Sequence, residues 1–198
     1  MRLVAIGGVH RNTKDLLDII QIEKTLAAQE NKKIYFLSAG DMELPDELIQ
    51  ANFDFFVDDK TQYCTSFENQ KIVTLQSDSQ KIKLILTYGN NLVEDQSDLL
   101  INSKLEKVLH KLAQKESHPL ENLCVVFGWT HFPTFVEFPN NCYVTNPGSA
   151  FEPRFGSIPS YLVLDFQNGK VTNFKFKNTS VMDHYYDMHM THIPKIVK

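Results

Sequence analysis

The sequence predicts one α/β domain made of two packed, mixed β-sheets with helices on the outside. In the first half, short apolar runs alternate with segments of helical period, which favours parallel strands joined by right-handed crossovers. The second half changes to short strand-like runs separated by polar turns. No linker, repeat or low-complexity segment divides the 198 residues, a length that suits one domain with a substantial core.

The first half is predicted to hold three strands, at 3–6, 34–37 and 53–57, with helices at 12–29 and just after residue 44. Apolar residues recur at helical spacing in the longer helix, and Asn12 or Thr13 is suited to cap it. Pro45 is expected in the first turn of the shorter helix, where its missing N–H costs nothing. This β-α-β-α-β order predicts a parallel sheet.

The second half is predicted to hold one more helix, at 99–112, and strands at 71–75, 81–87, 123–127, 134–138, 142–145, 161–166 and 171–176. One face of the helix carries the apolar residues at the spacing of an amphipathic helix. The polar segments 139–141 and 167–169 have the composition of hairpin turns. A second sheet, rich in antiparallel pairs, is therefore expected.

Composition and charge limit the classes of partner. The chain is 42% hydrophobic and 22% charged, with a net charge of −4 and a pI near 6.0. Because no block of like charges occurs, neither a nucleic-acid groove nor a membrane-binding patch is indicated. The N-terminus lacks the features of a signal peptide, and no run approaches the roughly 20 apolar residues of a membrane span. A cytoplasmic location is expected.

The cysteines exclude two common structural roles. Cys64, Cys124 and Cys142 are odd in number, widely spaced and without a CxxC pair. This pattern predicts neither a disulfide framework nor a zinc knuckle. Cys124 and Cys142 lie in apolar runs, where a buried thiol behaves as a small hydrophobic group.

Polar residues follow the carboxyl ends of several predicted strands. His10, Asp41 and Asp59 follow the first three strands, and the segments 88–90 and 129–131 follow two later ones. In open α/β sheets this edge binds ligands. Imidazole and carboxylate groups that converge there are the donors a divalent metal requires. Each residue taken singly is more typical of a hydrogen-bonded structural residue.

A family resemblance rests on these segments and on a block further along the chain. Residues 127–133, Phe-Gly-Trp-Thr-His-Phe-Pro, resemble the Gly-His-Thr-His motif of calcineurin-like metallophosphoesterases with its first His replaced. The block that follows consists of Asn-Pro-Gly-Ser at 146–149, Glu-Pro-Arg at 152–154 and Pro-Ser-Tyr at 159–161. It is similar to the small bacterial phosphodiesterase branch of that family, which includes the eukaryotic retromer subunit. The resemblance covers residues 1–176, leaves 177–198 as a tail, and implies an αββα sandwich.

The resemblance implies a two-metal site with several ligands replaced. In active relatives, motifs after successive strands bind two metals, and a Gly-Asp carboxylate bridges them. On this sequence the first motif keeps His10 but has Gly8 in place of its Asp, and the bridging carboxylate is Asp41. Asp59 stands, as the least certain match, where relatives have an Asn. In the last motif His131 remains.

The second metal position has lost more. Tyr88 and Trp129 replace two imidazoles, and neither a neutral phenol nor an indole is a useful ligand for such a metal. One position thus keeps His10, Asp41 and His131, and the other keeps only Asp41 and the weaker match Asp59. The resemblance therefore implies one divalent metal, Mn²⁺ or Zn²⁺, or no metal at all.

Three further residues or segments have alternative roles. Arg154 is suited to grip a phosphate, although a salt bridge with Glu152 or another nearby carboxylate is favoured. Asn146 and Ser149 are expected to fix a turn, with Gly148 supplying a backbone angle that other residues avoid. Trp129 is a candidate to fill the vacated metal pocket with apolar surface.

The tail after residue 176 is rich in methionine and histidine. His189 and His192 have a spacing that can bind a soft metal ion. A terminal stretch of this kind is more often mobile or packed on the body, and Tyr185 and Tyr186 favour packing, including against a second subunit. No chemical role is predicted for it.

Two functional hypotheses follow from the depleted motifs. The favoured one is a pseudoenzyme, catalytically impaired or inactive, that works as a binding or scaffold module for a protein partner. The alternative is a metal-dependent phosphodiesterase or phosphatase that hydrolyses a small phosphoester with a single Mn²⁺ or Zn²⁺. An unrelated α/β binding protein is a third, weaker hypothesis. The sequence does not predict an oligomeric state.

Overall fold

The computed structural model describes residues 1–58 and 67–179. Its helices are α1 (Thr13–Gln29), α2 (Asp46–Asn52) and α3 (Asn102–Lys115), with one 3₁₀ turn at Gln96–Leu100. Its strands are β1 (Arg2–Ile6), β2 (Ile34–Ser38), β3 (Phe55–Phe56), β4 (Gln70–Ser77), β5 (Gln80–Thr87), β6 (Leu123–Phe127), β7 (Thr134–Phe138), β8 (Cys142–Asn146), β9 (Ser160–Gln167) and β10 (Lys170–Asn178).

The strands form two five-stranded mixed sheets, as predicted. The first has the order β10-β9-β1-β2-β3, with β1, β2 and β3 parallel and β9 antiparallel to both β1 and β10. The second has the order β4-β5-β6-β8-β7, with β5, β6 and β8 parallel and the two edge strands antiparallel to their neighbours. The carboxyl ends of these six parallel strands lead into the loops that hold the candidate site.

The layers follow from alternation along each central strand. In β1, Leu3 and Ala5 belong to the core between the sheets, whereas Val4 and Ile6 belong to the cluster that includes α1 and α2. In the second sheet, Leu84 faces the shared core and Ile85 faces the cluster that includes α3. Both faces of each sheet are buried, so strands in the centre are continuously apolar. The result is the predicted order of helix, sheet, sheet and helix.

Most predicted elements are present, with differences at their ends. The predicted helix 99–112 is wrong in its first turn: a 3₁₀ turn ends at Leu100, Ile101 is extended, and α3 begins at Asn102. Asp95 caps that turn by accepting a hydrogen bond from the Ser97 N–H, which fixes a separate short element. Pro45 is the residue before α2 and not in its first turn. The strand predicted at 53–57 is reduced to two residues.

The hairpin turns and the helix cap are confirmed. Asn140 and Asn141 have φ of 61° and 57°, and Asn168 and Gly169 have φ of 49° and 79°. Two consecutive left-handed residues are what a tight turn of type I′ requires, which explains the Asn and Gly at these positions. Asn12 caps α1 by accepting a hydrogen bond from the Asp15 N–H.

A buried ion pair joins the first and last parts of the first sheet. Arg2 Nε lies 2.8 Å from Asp165 Oδ1, and Lys32 Nζ lies 2.9 Å from Asp165 Oδ2. Burial alone raises the pKa of Asp165, but the hydrogen bonds from Arg2 and Lys32 outweigh it and lower the pKa from 3.8 to about 2. Because the folded pKa lies below the unfolded one, this stabilisation is present above about pH 4 and is lost as the pH falls toward 2.

We expect Asp165→Asn to lower the free energy of unfolding at pH 7 by about 2 kcal/mol or more, since one pKa unit corresponds to about 1.4 kcal/mol. The difference from the unsubstituted protein should shrink as the pH approaches 2. Urea denaturation at several pH values measures this, with the exposed Asp18→Asn as control. Equal stability of the two variants at pH 7 would contradict the assignment.

Other expectations concern the chain ends and the cysteines. Strand β10 ends at Asn178, two residues beyond the predicted end of the domain, and the remaining His- and Met-containing tail lies outside the described residues. Cys124 and Cys142 are buried free thiols, as predicted, while Cys64 also lies outside. Within 1–58 and 67–179, no helix is long and apolar enough to cross a membrane.

Candidate metal centre

Three predicted ligands meet where the carboxyl ends of the two sheets adjoin. His10 follows β1, Asp41 follows β2 and His131 follows β6. One ligand atom from each lies within 4.8 Å of the other two. A two-histidine, one-carboxylate set of this size can hold a divalent metal with positions left open. The structure therefore brings together the three residues that the sequence predicted as one site.

The backbone at all three residues is left-handed. The φ angles are 46° at His10, 53° at Asp41 and 54° at His131. A side chain other than glycine in this conformation costs about 1 kcal/mol or more, and such residues cluster at functional sites. The loops thus hold the three side chains in a geometry that local preferences would not select.

His131 is hydrogen-bonded through both ring nitrogens. Its Nδ1 lies 3.0 Å from the Glu152 backbone oxygen and its Nε2 lies 2.7 Å from Asp41 Oδ2. A carbonyl oxygen only accepts, so Nδ1 is the donor in its hydrogen bond, and Nε2 faces the Asp41 carboxylate. Nε2 is the nitrogen that would bind a divalent metal at this site, as an unprotonated donor. The side chain is 2% exposed, so its position is fixed by packing as well.

His10 has the opposite arrangement, with one nitrogen unused. Nδ1 lies 3.0 Å from Glu43 Oε1, which favours the tautomer that leaves a lone pair on Nε2. Nε2 is buried and has no hydrogen-bond partner among the described residues. A carboxylate behind one nitrogen and a free second nitrogen is the usual arrangement of a metal-binding histidine. Because His10 Nε2 is available, the donor atoms of His10, Asp41 and His131 fit a divalent ion.

The charge state of Asp41 also suits a cation. Burial raises the pKa of this carboxyl, but the hydrogen bond and charge of His131, the Tyr88 hydroxyl and the charge of His10 together lower it below its usual range. Asp41 is therefore ionised at neutral pH. Its backbone N–H donates to Asp58 Oδ1 at 3.1 Å, which fixes the loop that presents it.

Tyr88 occupies the other side of the Asp41 carboxylate. Its hydroxyl lies 3.1 Å from Oδ1 and 3.0 Å from Oδ2, and its side chain is buried. The ring also packs over Gly40, where an added Cβ would meet Cδ2 at 2.4 Å. Tyr88 therefore stands directly against the Asp41 carboxylate.

Ser149 occupies the space beside Gly8. A Cβ on Gly8 would lie 2.1 Å from Ser149 Oγ and 2.6 Å from its Cβ, and the φ of Gly8 is +59°. Ser149 Oγ donates to the Gly8 carbonyl at 2.9 Å and accepts from the Glu152 N–H at 2.8 Å. Gly8 therefore has no room for a side chain in this conformation.

The location predicted for Trp129 stays a prediction. Its side chain is half-buried and packs against the apolar cluster that includes residues of α3, and its backbone N–H donates to the Tyr88 carbonyl at 2.9 Å. Tyr88 is the neighbouring side chain that contacts Asp41. Packing against apolar neighbours suits the large apolar surface of an indole.

Arg154 is also placed differently from the favoured expectation. It is exposed, and its guanidinium lies 3.5 Å from the Trp129 carbonyl. Within the described part of the chain it pairs with no carboxylate. An exposed arginine gains little from an ion pair in water, so no partner is required.

The turn after β8 is confirmed. Asn146 Oδ1 accepts from the Gly148 N–H at 2.8 Å, and its Nδ2 donates to Thr130 at 3.0 Å. Gly148 has φ of +79°, the angle that other residues avoid. This turn leads directly into Ser149 and so sets the loop beside Gly8.

The predicted ligand Asp59 lies outside the described residues.

Several residues near the site were not found from the sequence. Asp58 is buried, and its side chain accepts a hydrogen bond from the Asp41 backbone N–H. Glu43 and Glu152 reach His10 from two different loops. The position of Glu43, two residues after Asp41, could have indicated that it lies near the site. No feature of the neighbouring sequence indicated that Glu152 contacts His10.

Comparisons with known proteins identify the family of this chain. A model of the calcineurin-like phosphoesterase superfamily domain matches residues 1–169. No curated protein sequence matches the chain.

Solved structures with the same fold include phosphoesterases and Vps29. A predicted phosphoesterase from Streptococcus pneumoniae has a TM-score of 0.61 at 16% identity, with 90% of each chain covered. Vps29 from Entamoeba histolytica, complexed with Zn²⁺, has a TM-score of 0.58 at 15% identity, with 94% of this chain and 99% of that one covered. The phosphoesterase Yfce from E. coli has a TM-score of 0.51 at 18% identity, with 88% and 98% covered.

These identities are low, so the structural matches establish a shared fold. The family model spans most of the chain and includes His10, Asp41 and His131. The protein therefore belongs to the calcineurin-like phosphoesterase superfamily.

Proposed function

We propose that this protein is a catalytically impaired or inactive member of the superfamily that works as a binding module. The observation that carries the proposal is the Tyr88 hydroxyl on both oxygens of Asp41. Two-metal hydrolysis holds its two ions about 4 Å apart, and the Tyr88 hydroxyl occupies the side of Asp41 on which a second ion would have to lie. A neutral phenol at the second position supplies a proton donor where an imidazole lone pair is needed.

The ligand count supports the same conclusion. The Gly8 position offers no carboxylate and has no room for one beside Ser149. Trp129 offers no lone pair and packs against an apolar cluster. Since even residues behind the ligands can change metal affinity or activity by roughly 10- to 100-fold, several replaced ligands are expected to abolish efficient turnover.

The retained residues define what one ion would meet. His10, Asp41 and His131 are the residues that would hold it, and a bound Mn²⁺ or Zn²⁺ supplies Lewis acidity and an activated water. Glu43 orients the His10 ring, and the Glu152 carbonyl orients His131.

A second candidate function is hydrolysis of a small phosphoester with a single metal. The unpartnered, buried Nε2 of His10 favours it, because a buried polar nitrogen without a partner is costly unless a ligand uses it. The Vps29 structure with Zn²⁺ shares the fold and supports the choice of a borderline metal. Arg154 is exposed near the site and is available to contact a phosphate in this case.

An exposed apolar surface beside the site supports the binding module. Phe155 is 55% exposed and Ile158 is 37% exposed, on the loop that follows Glu152. Phe132 contacts the Phe155 ring edge-on, with ring centroids 6.3 Å apart. Exposed aromatic side chains of this kind are enriched where proteins bind one another. A protein partner is therefore favoured over a small phosphoester.

The cytoplasmic location remains a prediction. So does the expectation that the protein binds neither nucleic acid nor membrane.

The test is hydrolysis of bis-p-nitrophenyl phosphate by metal-stripped protein with Mn²⁺ or Zn²⁺ added back. We expect turnover no higher than that of Asp41→Asn and His131→Ala, which lack ligands. Circular dichroism establishes that each variant is folded. Metal-dependent turnover that both substitutions abolish would overturn the binding-module proposal and establish the single-metal enzyme.

A further inference from the structure

Glu152 lies close to the one site nitrogen that has no partner among the described residues. Its Oε2 is 3.6 Å from His10 Nε2. That separation is too long for a hydrogen bond. Two donor atoms that share one Zn²⁺ at about 2.1 Å each, with a tetrahedral angle between them, lie about 3.4 Å apart. The observed distance is therefore close to that of two ligands of one ion.

The backbone of Glu152 is fixed by the site itself. Its carbonyl accepts the His131 Nδ1 proton at 3.0 Å, and its N–H donates to Ser149 Oγ at 2.8 Å. The side chain, in contrast, is 64% exposed and free to turn. The Glu152 carboxylate lies outside the group of donor atoms that are within 4.8 Å of one another, so it would join a shared cation by rotation of its exposed side chain.

The Ser149 hydroxyl connects Glu152 with Gly8, the position where the resemblance implies an aspartate in relatives. Ser149 fills the space beside Gly8 and, through the same hydroxyl, holds the Glu152 N–H. The loop after β8 thus closes the position of the lost carboxylate and brings another carboxylate to His10. We propose that Glu152 supplies the fourth ligand of a single divalent cation held by His10, Asp41 and His131.

Charge balance supports a second carboxylate. With neutral imidazoles, Asp41 alone leaves a divalent ion only half neutralised in a largely buried site, and Glu152 completes the neutralisation. Ligand charge is a main determinant of affinity at cation sites. Glu43 is not suited to be the second carboxylate ligand, because both of its oxygens already have partners. Its Oε1 lies 3.0 Å from His10 Nδ1, and its Oε2 lies 3.0 Å from Arg11 Nε.

This inference goes beyond the proposed function, because the ligand set is the same whether or not the bound ion supports hydrolysis. Its test is therefore binding of the metal alone. Zn²⁺ and Mn²⁺ affinities of the metal-stripped full chain are measured by isothermal titration calorimetry for the unsubstituted protein, Glu152→Gln, and the control Glu137→Gln. Glu137 is exposed on β7, away from the site.

We expect Glu152→Gln to weaken Zn²⁺ binding at least about tenfold, with Glu137→Gln unchanged. The d–d absorption spectrum of bound Co²⁺ should change in Glu152→Gln alone, because that spectrum reports the ligands directly. Thermal melts of the metal-free proteins should be alike, since Glu152 is exposed. Equal Zn²⁺ affinity and an equal Co²⁺ spectrum in the two variants would overturn the proposal, as would an unsubstituted protein that binds no ion.

Discussion

Gly8→Asp is expected to lower the free energy of unfolding by about 3 kcal/mol and not to add a metal ligand. The left-handed backbone contributes about 1 kcal/mol of this cost. Overpacking against Ser149 contributes about 2 kcal/mol, because a Cβ on Gly8 would lie 2.1 Å from a hydroxyl that already holds two hydrogen bonds. Urea denaturation of the metal-free protein measures the change.

Gly156→Asp is the matched control for that substitution. Gly156 has φ of +72°, similar to Gly8, but nothing lies within 4 Å of a Cβ added to it. It should therefore show the backbone cost alone, about 1 kcal/mol. Equal destabilisation by the two substitutions would mean that Ser149 does not exclude a side chain at Gly8. An aspartate could then be accommodated there.

Gly128→Ala is expected to cost about 3 kcal/mol, because it forces apart the two sheets where they meet at the site. Its Cβ would lie 2.1 Å from the Ala39 carbonyl oxygen and 2.9 Å from the Ala39 carbonyl carbon, which are backbone atoms of the loop that leads to Asp41. Because Gly128 itself precedes His131 in the same loop, the same displacement should weaken metal binding. Denaturation and calorimetric titration measure the two effects.

Gly7→Ala provides the comparison for this second substitution. Gly7 also approaches Ala39, yet its nearest contact would be 3.5 Å, an ordinary van der Waals distance. Its effect should stay within about 1 kcal/mol. If Gly128→Ala lowered the free energy of unfolding no more than Gly7→Ala, Gly128 could not lie as close to the Ala39 backbone as the structure shows.

The fold was predictable because its signals are local. Continuous apolar runs such as Leu123–Phe127 indicate strands buried on both faces, and the Asn and Gly residues at the hairpins indicate tight turns. The start of α3 was missed because a 3₁₀ turn and a helix have similar apolar spacing over one turn. Only the extended backbone at Ile101 separates them.

The site was predictable only in part, because its remaining contacts join distant segments. His10, Asp41 and His131 follow strand ends, which a sequence pattern indicates. The contact of Tyr88 with Asp41 spans 47 positions, and the contact of Ser149 with Gly8 spans 141. Residue type alone cannot tell whether a bulky side chain contacts Asp41, as Tyr88 does, or packs against an apolar cluster, as Trp129 does.

The number of ions that each chain retains tests the central claim most directly. The protein is saturated with Zn²⁺, desalted and analysed by inductively coupled plasma mass spectrometry, with Asp41→Asn as the ligand-free reference. One Zn²⁺ per chain, absent from Asp41→Asn, is the predicted result. Two Zn²⁺ ions per chain, both lost in Asp41→Asn, would contradict it, because Asp41 would then bridge two metals despite the Tyr88 hydroxyl against it.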